Sequence, residues 1–136
     1  MALRVTQTKF VVTAVGVFFD AHGRVLVLRH VYRHHHPWGL PAGFIDAGET
    51  PEVGILRELK EETSLSAGSV QILSIRSLSR RHLEVAVMGA VDSTQAISLN
   101  HEIFEAVFAD PLDLPPGLPS SQGDLVRRAM AVADVR

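Results

Sequence analysis

Three glutamates in the middle of the chain have the spacing of a cation-binding helix face. Glu58, Glu61 and Glu62 stand at i, i+3 and i+4, so on a helix their side chains converge. A hard divalent cation such as Mg²⁺ prefers carboxylate oxygen and would turn the repulsion between these side chains into ligation. Taken alone, the same glutamates also fit a solvated helix face on which Arg57 and Lys60 balance the charge.

The residues around the glutamates favour metal binding over a solvated face. They form a longer pattern, which consists of Gly43, Glu49, Arg57-Glu58-Leu59, Glu61-Glu62 and Leu65. With ordinary residue frequencies, the chance of this pattern at a given start is on the order of 10⁻⁸. The pattern closely resembles the signature of the Nudix hydrolases, Gly-x5-Glu-x7-Arg-Glu-aliphatic-x-Glu-Glu-x-Gly-aliphatic. Residues 38–43 before the pattern, and Glu102-Ile103 with Phe108 after it, are also similar to the family.

The resemblance implies both the fold and the extent of the domain. The fold would be α/β, with a mixed β-sheet sandwiched between α-helices and the motif as a catalytic loop-helix-loop. Residues 1–136 would then form a single Nudix hydrolase domain, with the Nudix motif at residues 43–65.

Metal ligands follow from the same resemblance. Glu58, Glu61 and Glu62 are the implied ligands of Mg²⁺, with Mn²⁺ as an alternative cation. The backbone carbonyl of Gly43 is a further implied ligand. The number of metal ions stays open.

Four more positions of the motif bear on its structure. Glu49 and Arg57 match family positions that pair with each other and hold the loop against the helix. Glu49 is also a candidate metal ligand, and we count Arg57 among the catalytic residues. Ser64 stands where the family has a helix-ending glycine, which we expect to cost about 1 kcal/mol because left-handed backbone is easiest for glycine. Ala42 stands where many members carry glycine. Neither departure removes a carboxylate.

The general base, which takes a proton from the attacking water, has three candidates. Glu62 lies within the motif, whereas Glu102 and Glu105 begin a late strand. Side chains alternate along a strand, so Glu102 and Glu105 are expected to point to opposite faces, with Glu102 toward the metal site. The face of Glu102 would be shared by Phe104, Ala106 and Phe108.

Substrate contacts outside the motif are predicted at Arg76, Arg81, Trp38 and Glu105. The two arginines would contact phosphate, although a turn with arginines is more often just solvated. Trp38 would stack on a nucleobase or serve as a buried anchor. Residues 34–36 are three consecutive histidines, which cannot easily wrap one ion, so we interpret them as a surface loop at the mouth of the site.

Hydrophobic patterning and turn residues predict the elements that position these side chains. Strands are expected at residues 5–20, 24–32, 70–78, 82–91 and 103–109. Loop and a short strand are expected at residues 34–43, and irregular structure at residues 111–119, which hold four prolines.

Two helices are predicted. The first has Thr50 as N-cap and Pro51 at its first position, and runs to about Thr63. Val53, Leu56 and Leu59 are its candidates to face the sheet. The second helix is expected from residue 122 to about residue 135, where apolar residues have helical spacing.

Composition excludes several other classes of protein. The chain has 136 residues, of which 46% are hydrophobic and 21% charged, as in a soluble globular domain. Without cysteine, disulfides, a thiolate nucleophile and Cys-containing zinc sites are excluded. Thirteen Lys and Arg against fifteen Asp and Glu give no electrostatic grip on long nucleic acid. The longest nearly apolar run, residues 10–19, is too short to span a membrane, so we expect a cytoplasmic protein.

The resemblance implies a magnesium-dependent nucleotide pyrophosphatase, similar to the MutT-like Nudix hydrolases. It would cleave the diphosphate linkage of a nucleoside diphosphate joined to another moiety, with a small nucleotide-type diphosphate as its substrate. The alternative is a non-catalytic Nudix-like domain that senses a nucleotide. Isomerases of this fold use a cysteine, which the chain lacks. The identity of the substrate stays open, and a homodimer through an exposed strand edge is a candidate assembly.

Overall fold

A mixed β-sheet forms the centre of the computed structural model, which describes residues 9–134. In chain order, its strands are β1 (Val11–Phe19), β2 (Val25–His30), β3 (Trp38–Gly39), β4 (Ala42–Phe44), β5 (Ala67–Ser79), β6 (His82–Val91) and β7 (Ile103–Ala109). The helices are α1 (Pro51–Thr63) and α2 (Ser120–Asp134). Neither helix is long and apolar enough to cross a membrane, as judged over the described residues.

The first two strands separate at the end of the sheet where the motif lies. β1 and β2 pair only next to their connecting turn, at Phe19 and Val25. Farther along, β4 pairs with β1 and β3 pairs with β2, so the short segment between them fills the gap. The outer neighbours are β6, parallel to β1, and β7, antiparallel to β2, while β5 pairs with β6. Because β4 is drawn into the sheet, the start of the motif lies directly against α1.

Each face of the sheet is covered by one helix, which confirms the predicted sandwich. On one face, Ile55 and Leu59 of α1 pack against Phe18 and Leu28. On the other face, Leu125 and Val126 of α2 pack among valines of β1 and β2. We refer to these as the α1 face and the α2 face.

Strand and helix bounds agree with the predictions except near some ends. Residues 103–109 form a strand as predicted, and residues 82–91 do as well. Residues 5–8 of the first predicted strand and residue 135 of the second predicted helix lie outside the described residues. The second strand ends at His30 rather than Tyr32, because the chain turns at Val31, whose N–H donates to the carbonyl of Glu102 at 2.9 Å.

Helix α1 begins and ends as its sequence predicts. The Thr50 hydroxyl accepts a hydrogen bond from the N–H of Val53 at 3.2 Å, and Pro51 is the first helical residue. Ser64 ends the helix in left-handed backbone with φ of 65°, and its N–H donates to the carbonyl of Lys60 at 2.9 Å. Serine therefore adopts the conformation in which the family has glycine.

The Ser64→Gly variant is expected to change the free energy of unfolding by less than about 1 kcal/mol. Glycine relieves about 1 kcal/mol of left-handed strain. It also removes the hydrogen bond that the Ser64 hydroxyl donates to the carbonyl of Ser98 at 3.1 Å, which is worth a similar amount. Urea unfolding monitored by circular dichroism measures the difference. The Ser64→Ala variant keeps the strain and loses the hydrogen bond, so it should be the less stable of the two, and the opposite order would contradict this balance.

Candidate active site

The buried face of α1 carries one of the motif glutamates. Ile55, Leu59 and Glu62 stand at i, i+4 and i+7, and all three are buried against the sheet. The expectation that Val53 faces the sheet is wrong, since Val53 is 54% exposed. The reason is angular: Val53 precedes Ile55 by two residues and lies about 200° around the helix from it.

Glu62 is a buried carboxylate that lacks a hydrogen-bond partner on one oxygen. The residue is only 4% exposed, and its Oε1 atom is buried without a partner in the described part of the chain. Burial, together with the charges of Glu58 and Glu102, raises the pKa of the Glu62 carboxyl to about 8. Leaving a buried acceptor without a partner is costly, so this oxygen is positioned for a group that the protein itself does not supply.

Arg57 joins the motif loop to the helix. Its Nε donates to Glu49 Oε2 at 2.7 Å, and its Nη2 donates to Glu49 Oε1 at 2.9 Å, which is the bidentate pair that the sequence predicts. A further bond from Nη2 reaches the carbonyl of Phe44 at 3.0 Å. The hydrogen bonds from Arg57 and from the N–H of Asp46 lower the pKa of Glu49 to about 2. These hydrogen bonds attach Phe44 and Glu49, which lie at the two ends of the motif loop, to Arg57 of α1.

The same guanidinium also holds two of the predicted metal ligands. Arg57 Nη1 lies 3.0 Å from Glu58 Oε1 and 3.4 Å from Glu61 Oε2. The side chain of Glu61 is 56% exposed and that of Glu58 is 19% exposed. Within residues 9–134, no group of three or more acidic or histidine side chains is arranged as a complete metal site. The contacts of Arg57 explain why no complete metal site is present there, because its guanidinium holds the carboxylates of Glu58 and Glu61 together with that of Glu49.

Gly43 leaves room for Glu58. A Cβ atom on Gly43 would lie 2.2 Å from Cδ and 2.4 Å from Oε1 of Glu58, closer than any real contact. The Glu58 carboxylate therefore rests directly on the backbone of β4. Burial raises the pKa of the Glu58 carboxyl, while the hydrogen bond from Arg57 opposes that rise.

The donor set fits a hard divalent cation. Glu62 supplies a buried, unpartnered oxygen, and Glu58 supplies a carboxylate held against the backbone of Gly43. Both are carboxylate oxygens, which Mg²⁺ and Mn²⁺ accept as ligands. Repulsion between the Glu58 and Glu62 charges is the interaction that a cation would relieve.

The Gly43→Ala variant is expected to lower hydrolytic activity by about 10- to 100-fold while the protein stays folded. The added methyl group forces the Glu58 carboxylate away from β4, and misplacing a ligand or its support typically costs that much. Steady-state kinetics and circular dichroism measure the two effects. Gly68→Ala is the control, because a Cβ at Gly68 meets no atom within 4 Å. Equal activity of both variants would contradict a role for the contact between Gly43 and Glu58.

A β-bulge changes which residues of β7 face the α1 side. Arg29 lies opposite Glu105, but His30 lies opposite Ile103, so Phe104 is an extra residue in the pairing. Ile103 takes the inward position, and Phe104 is 65% exposed. The expectation that Phe104 shares a face with the inward residues Ala106 and Phe108 is therefore wrong.

The structure separates the two glutamates of this segment. Glu102 precedes β7 in a turn, and its charge contributes to the raised pKa of Glu62. Glu105 is exposed and alternates with Val107 and Ala109, which face the α2 side. Glu102 is thus the one beside the motif glutamates, and its role as a base stays a prediction.

A loop that the sequence analysis did not single out packs on the end of α1. The N–H of Ser98 donates to the carbonyl of Thr63 at 3.0 Å, and the N–H of Asn100 donates to the carbonyl of Glu62 at 3.2 Å. Asn100 Oδ1 also accepts from the N–H of Glu102 at 3.0 Å. This loop fixes Glu102 relative to Glu62, and only its polar composition signals that in the sequence.

Other predicted substrate contacts are not brought next to the glutamates. Trp38 is half-buried and packs in the core of the α2 face, the opposite side of the sheet from α1. Arg76 donates from Nε to Glu84 Oε1 at 2.8 Å, so a neighbouring strand already engages it. Arg81 is exposed in the turn between β5 and β6. Residues 34–36 lie exposed in the loop between β2 and β3.

A basic cavity lies at the end of β2, where the sequence analysis assigned no site. It has a volume of about 420 Å³, and its lining includes Arg29, His30, Arg33, His34 and Phe104. The charge of Arg33 lowers the pKa of the Glu62 carboxyl, which opposes the effect of burial there. It also lowers the pKa of the His30 ring, in the same direction as burial. The pKa of His30 falls to about 4, chiefly through burial, so its ring is uncharged at neutral pH.

Solved structures share this architecture. A MutT protein from Methanosarcina mazei Go1 matches with a TM-score of 0.70 and 19% identity, over 95% of this chain and 99% of that one. An Ap4A hydrolase from C. elegans matches with a TM-score of 0.76 and 20% identity, over 91% of this chain and 99% of that one. The Nudix domain of Shewanella oneidensis NrtR, solved with ADP-ribose, matches with a TM-score of 0.74 and 23% identity, over 93% and 90%. The sheet between two helices, with the acidic motif on α1, is therefore a Nudix-type fold.

The sequence comparisons agree with the fold. The family model described as the NUDIX domain matches residues 9–129, and the chain belongs to the Nudix family. An RNA pyrophosphohydrolase from Blochmanniella pennsylvanica is 45% identical over 58 residues, which are 43% of this chain and 36% of that protein. Another from Photobacterium profundum is 43% identical over 58 residues, covering 43% and 32%. The matched segment thus spans about a third of the length of these curated relatives.

Proposed function

We propose that this protein is a divalent-metal-dependent pyrophosphohydrolase that cleaves the diphosphate linkage of a nucleotide-type substrate. The observation that carries the proposal is the unpartnered, buried Oε1 atom of Glu62 beside Glu58. A structural role does not explain this atom, because an apolar residue in place of Glu62 would avoid burying a polar oxygen without a hydrogen-bond partner. A bound cation explains it directly.

In this proposal, Glu58, Glu61 and Glu62 hold the cation, with the backbone carbonyl of Gly43 as a further ligand. When bound, Mg²⁺ or Mn²⁺ supplies neutralisation of the diphosphate charge and activation of a water. Arg57 keeps the loop and helix at a fixed separation through its bidentate pair with Glu49.

Proton transfer is assigned to a carboxylate outside the helix. A carboxylate oxygen of Glu102 accepts a proton from the water that attacks phosphorus. The water oxygen stays bonded to the attacked phosphorus, and the bond from that phosphorus to the bridging oxygen breaks, so that the other phosphate group leaves with the bridging oxygen. Glu102 is supported by the loop that joins it to the end of α1, in which Asn100 bonds both the carbonyl of Glu62 and the N–H of Glu102, and by the effect of its charge on the Glu62 carboxyl. Glu62 is the second candidate for this step.

The names of relatives bear on the nucleotide part of the proposal. Curated relatives are named RNA pyrophosphohydrolase, and solved structures of the same fold include an Ap4A hydrolase and a Nudix domain with ADP-ribose. All of these names share a phosphoric anhydride attached to a nucleoside. We therefore propose this class of substrate. We also propose that the protein acts in the cytoplasm, and fractionation of expressing cells would test this.

The test is hydrolysis of a substrate panel by the purified protein. Nucleoside triphosphates, dinucleoside polyphosphates, ADP-ribose and nucleotide sugars are supplied with Mg²⁺, with Mn²⁺, or with EDTA. We expect release of phosphate, pyrophosphate or nucleoside monophosphate from at least one compound, and none in EDTA. Full turnover in EDTA, or no turnover of any compound with either metal, would overturn the proposal.

A nucleotide-sensing domain without catalysis is the alternative function. It would bind members of the same panel in calorimetry, yet release no product with either metal. The four motif glutamates favour the hydrolase, because a pure binding domain has no need for a buried carboxylate without a partner.

A further inference from the structure

The basic cavity lies at the end of β2, where the β-bulge interrupts the pairing of β2 with β7. Arg29 and His30 end β2 on one side of the bulge, and the extra residue Phe104 lies on the other. Arg33 and His34 enter from the following loop. Its volume of about 420 Å³ is in the range of small-ligand sites.

Two guanidinium groups line the cavity. Neither Arg29 nor Arg33 forms an ion pair with an acidic side chain of residues 9–134, whereas Arg24, Arg57 and Arg76 each do. The Arg29 guanidinium instead lies 4.9 Å from the centre of the Phe104 ring. Stacking on a ring orients a guanidinium and leaves the N–H groups in its plane free to donate.

Two further features prepare the cavity for a hydrogen-bonding anion. His30 Nε2 is buried without a partner in the described part of the chain, and its uncharged ring can donate one N–H. Gly39 makes room for this arrangement, since a Cβ there would lie 3.1 Å from Arg33 Nη1 and 3.7 Å from His30 Nε2. The cavity thus offers oriented donors and no acidic lining residue.

The cavity also adjoins the glutamates of α1. Val31, which lines the cavity, donates its N–H to the carbonyl of Glu102 at 2.9 Å. Asn100 accepts from the N–H of Glu102 and donates its own N–H to the carbonyl of Glu62 at 3.2 Å, so the cavity is joined to the end of α1. The charge of Arg33 also acts on the Glu62 carboxyl. A ligand that reached from the glutamates into the cavity would pass from carboxylates, which need a cation, to guanidinium groups, which bind anions directly.

We propose that this cavity is a subsite for a phosphate group beyond the two that flank the cleaved bond, so that the protein prefers nucleotides with three or more phosphates. The inference rests on the proposed function, whose diphosphate lies at the glutamates. Guanidinium groups bind phosphate oxygens in a bidentate manner. A third or fourth phosphate would supply the anionic partner with which Arg29 and Arg33 form no ion pair in the described residues. A substrate with only two phosphates and a neutral sugar leaves these charges without a partner.

The kinetic test uses three substrates that share adenosine and differ in phosphate number: ADP-ribose, ATP and diadenosine tetraphosphate. For Arg33→Gln, we expect kcat/KM to fall about tenfold or more with ATP and the tetraphosphate, mainly through KM, and less than about twofold with ADP-ribose. Arg33→Lys should recover part of the loss. Arg128→Gln is the control, because Arg128 is exposed on α2 at the other face of the sheet. Equal losses on all three substrates, or none, would overturn the subsite.

A binding test separates this inference from the proposed function. Isothermal calorimetry in EDTA compares tripolyphosphate with pyrophosphate, so that binding through a cation is removed. We expect tighter binding of tripolyphosphate to the wild-type chain and about tenfold weaker binding to Arg33→Gln, with no change for Arg128→Gln. If the protein hydrolyses nothing but this difference holds, the hydrolase proposal fails and the subsite stands. If tripolyphosphate binds the wild-type chain and Arg33→Gln equally, the subsite is wrong even when hydrolysis is observed.

Discussion

Replacing Glu62 by glutamine is expected to lower kcat by about 100-fold or more while leaving the fold intact. The change removes a charged oxygen that would hold the cation, and a cation supplies several kcal/mol of transition-state stabilisation. Glu61→Gln should also remove most of the activity, since Glu61 belongs to the same i, i+3, i+4 set. Steady-state kinetics with Mg²⁺ measures both losses.

Thermal unfolding distinguishes loss of a ligand from loss of structure. In EDTA, Glu62→Gln should be no less stable than the wild-type protein, because Glu62 is buried near the charges of Glu58 and Glu102. Added Mg²⁺ should raise the melting temperature of the wild-type protein and raise that of the variant less. Glu52→Gln, in the first turn of α1, is the matched control and should keep wild-type turnover. Full turnover by both Glu61→Gln and Glu62→Gln would sink the metal interpretation.

Glu102→Gln is expected to lower kcat by about 10²- to 10⁴-fold, with a smaller effect on KM. That range is typical of a lost general base, because glutamine keeps the shape of the side chain but cannot accept the proton. Glu102 is the candidate because its charge raises the pKa of the Glu62 carboxyl, and Asn100 joins the turn that carries Glu102 to the end of α1.

Glu105→Gln is the matched comparison for that variant. Glu105 is exposed, opposite Arg29 in the strand pairing, and alternates with residues of the α2 face. We expect its substitution to change kcat little. Any effect should be on KM, because the sequence analysis predicts Glu105 as a substrate contact. A damaging Glu105→Gln beside a silent Glu102→Gln would mean that the facing is reversed. If both variants are silent, the base belongs to the helix, and Glu62 is the first residue to test.

Sequence information was sufficient for the parts of the site that depend on neighbours along the chain. The cap at Thr50, the start at Pro51 and the end near Thr63 follow from side chains that bond the backbone within one helical turn. The pairing of Arg57 with Glu49 followed from the family resemblance, and the structure contains it. The left-handed backbone at Ser64 followed in the same way.

The tertiary structure alone decided how the three glutamates differ. Their spacing makes them equivalent, yet Glu62 is buried, Glu58 rests on Gly43 and Glu61 is exposed. These differences depend on which face of α1 packs on the sheet, and the expectation for Val53 shows that apolar residues along the helix do not fix that face. Packing against distant strands fixes it, through Ile55 and Leu59.

The basic cavity was equally out of reach of the sequence. Its residues come from β2, the loop after it and the start of β7, and they meet because of an extra residue at Phe104 in the strand pairing. Alternation along β7 predicted that Phe104 would face inward, and a bulge overturns alternation at the position where it occurs. Helix ends and motif spacing are set by contacts within a few residues, and the sequence alone determined them. Burial, strand register and the approach of charged groups from distant segments are set by packing of the whole chain, and only the tertiary structure decided them.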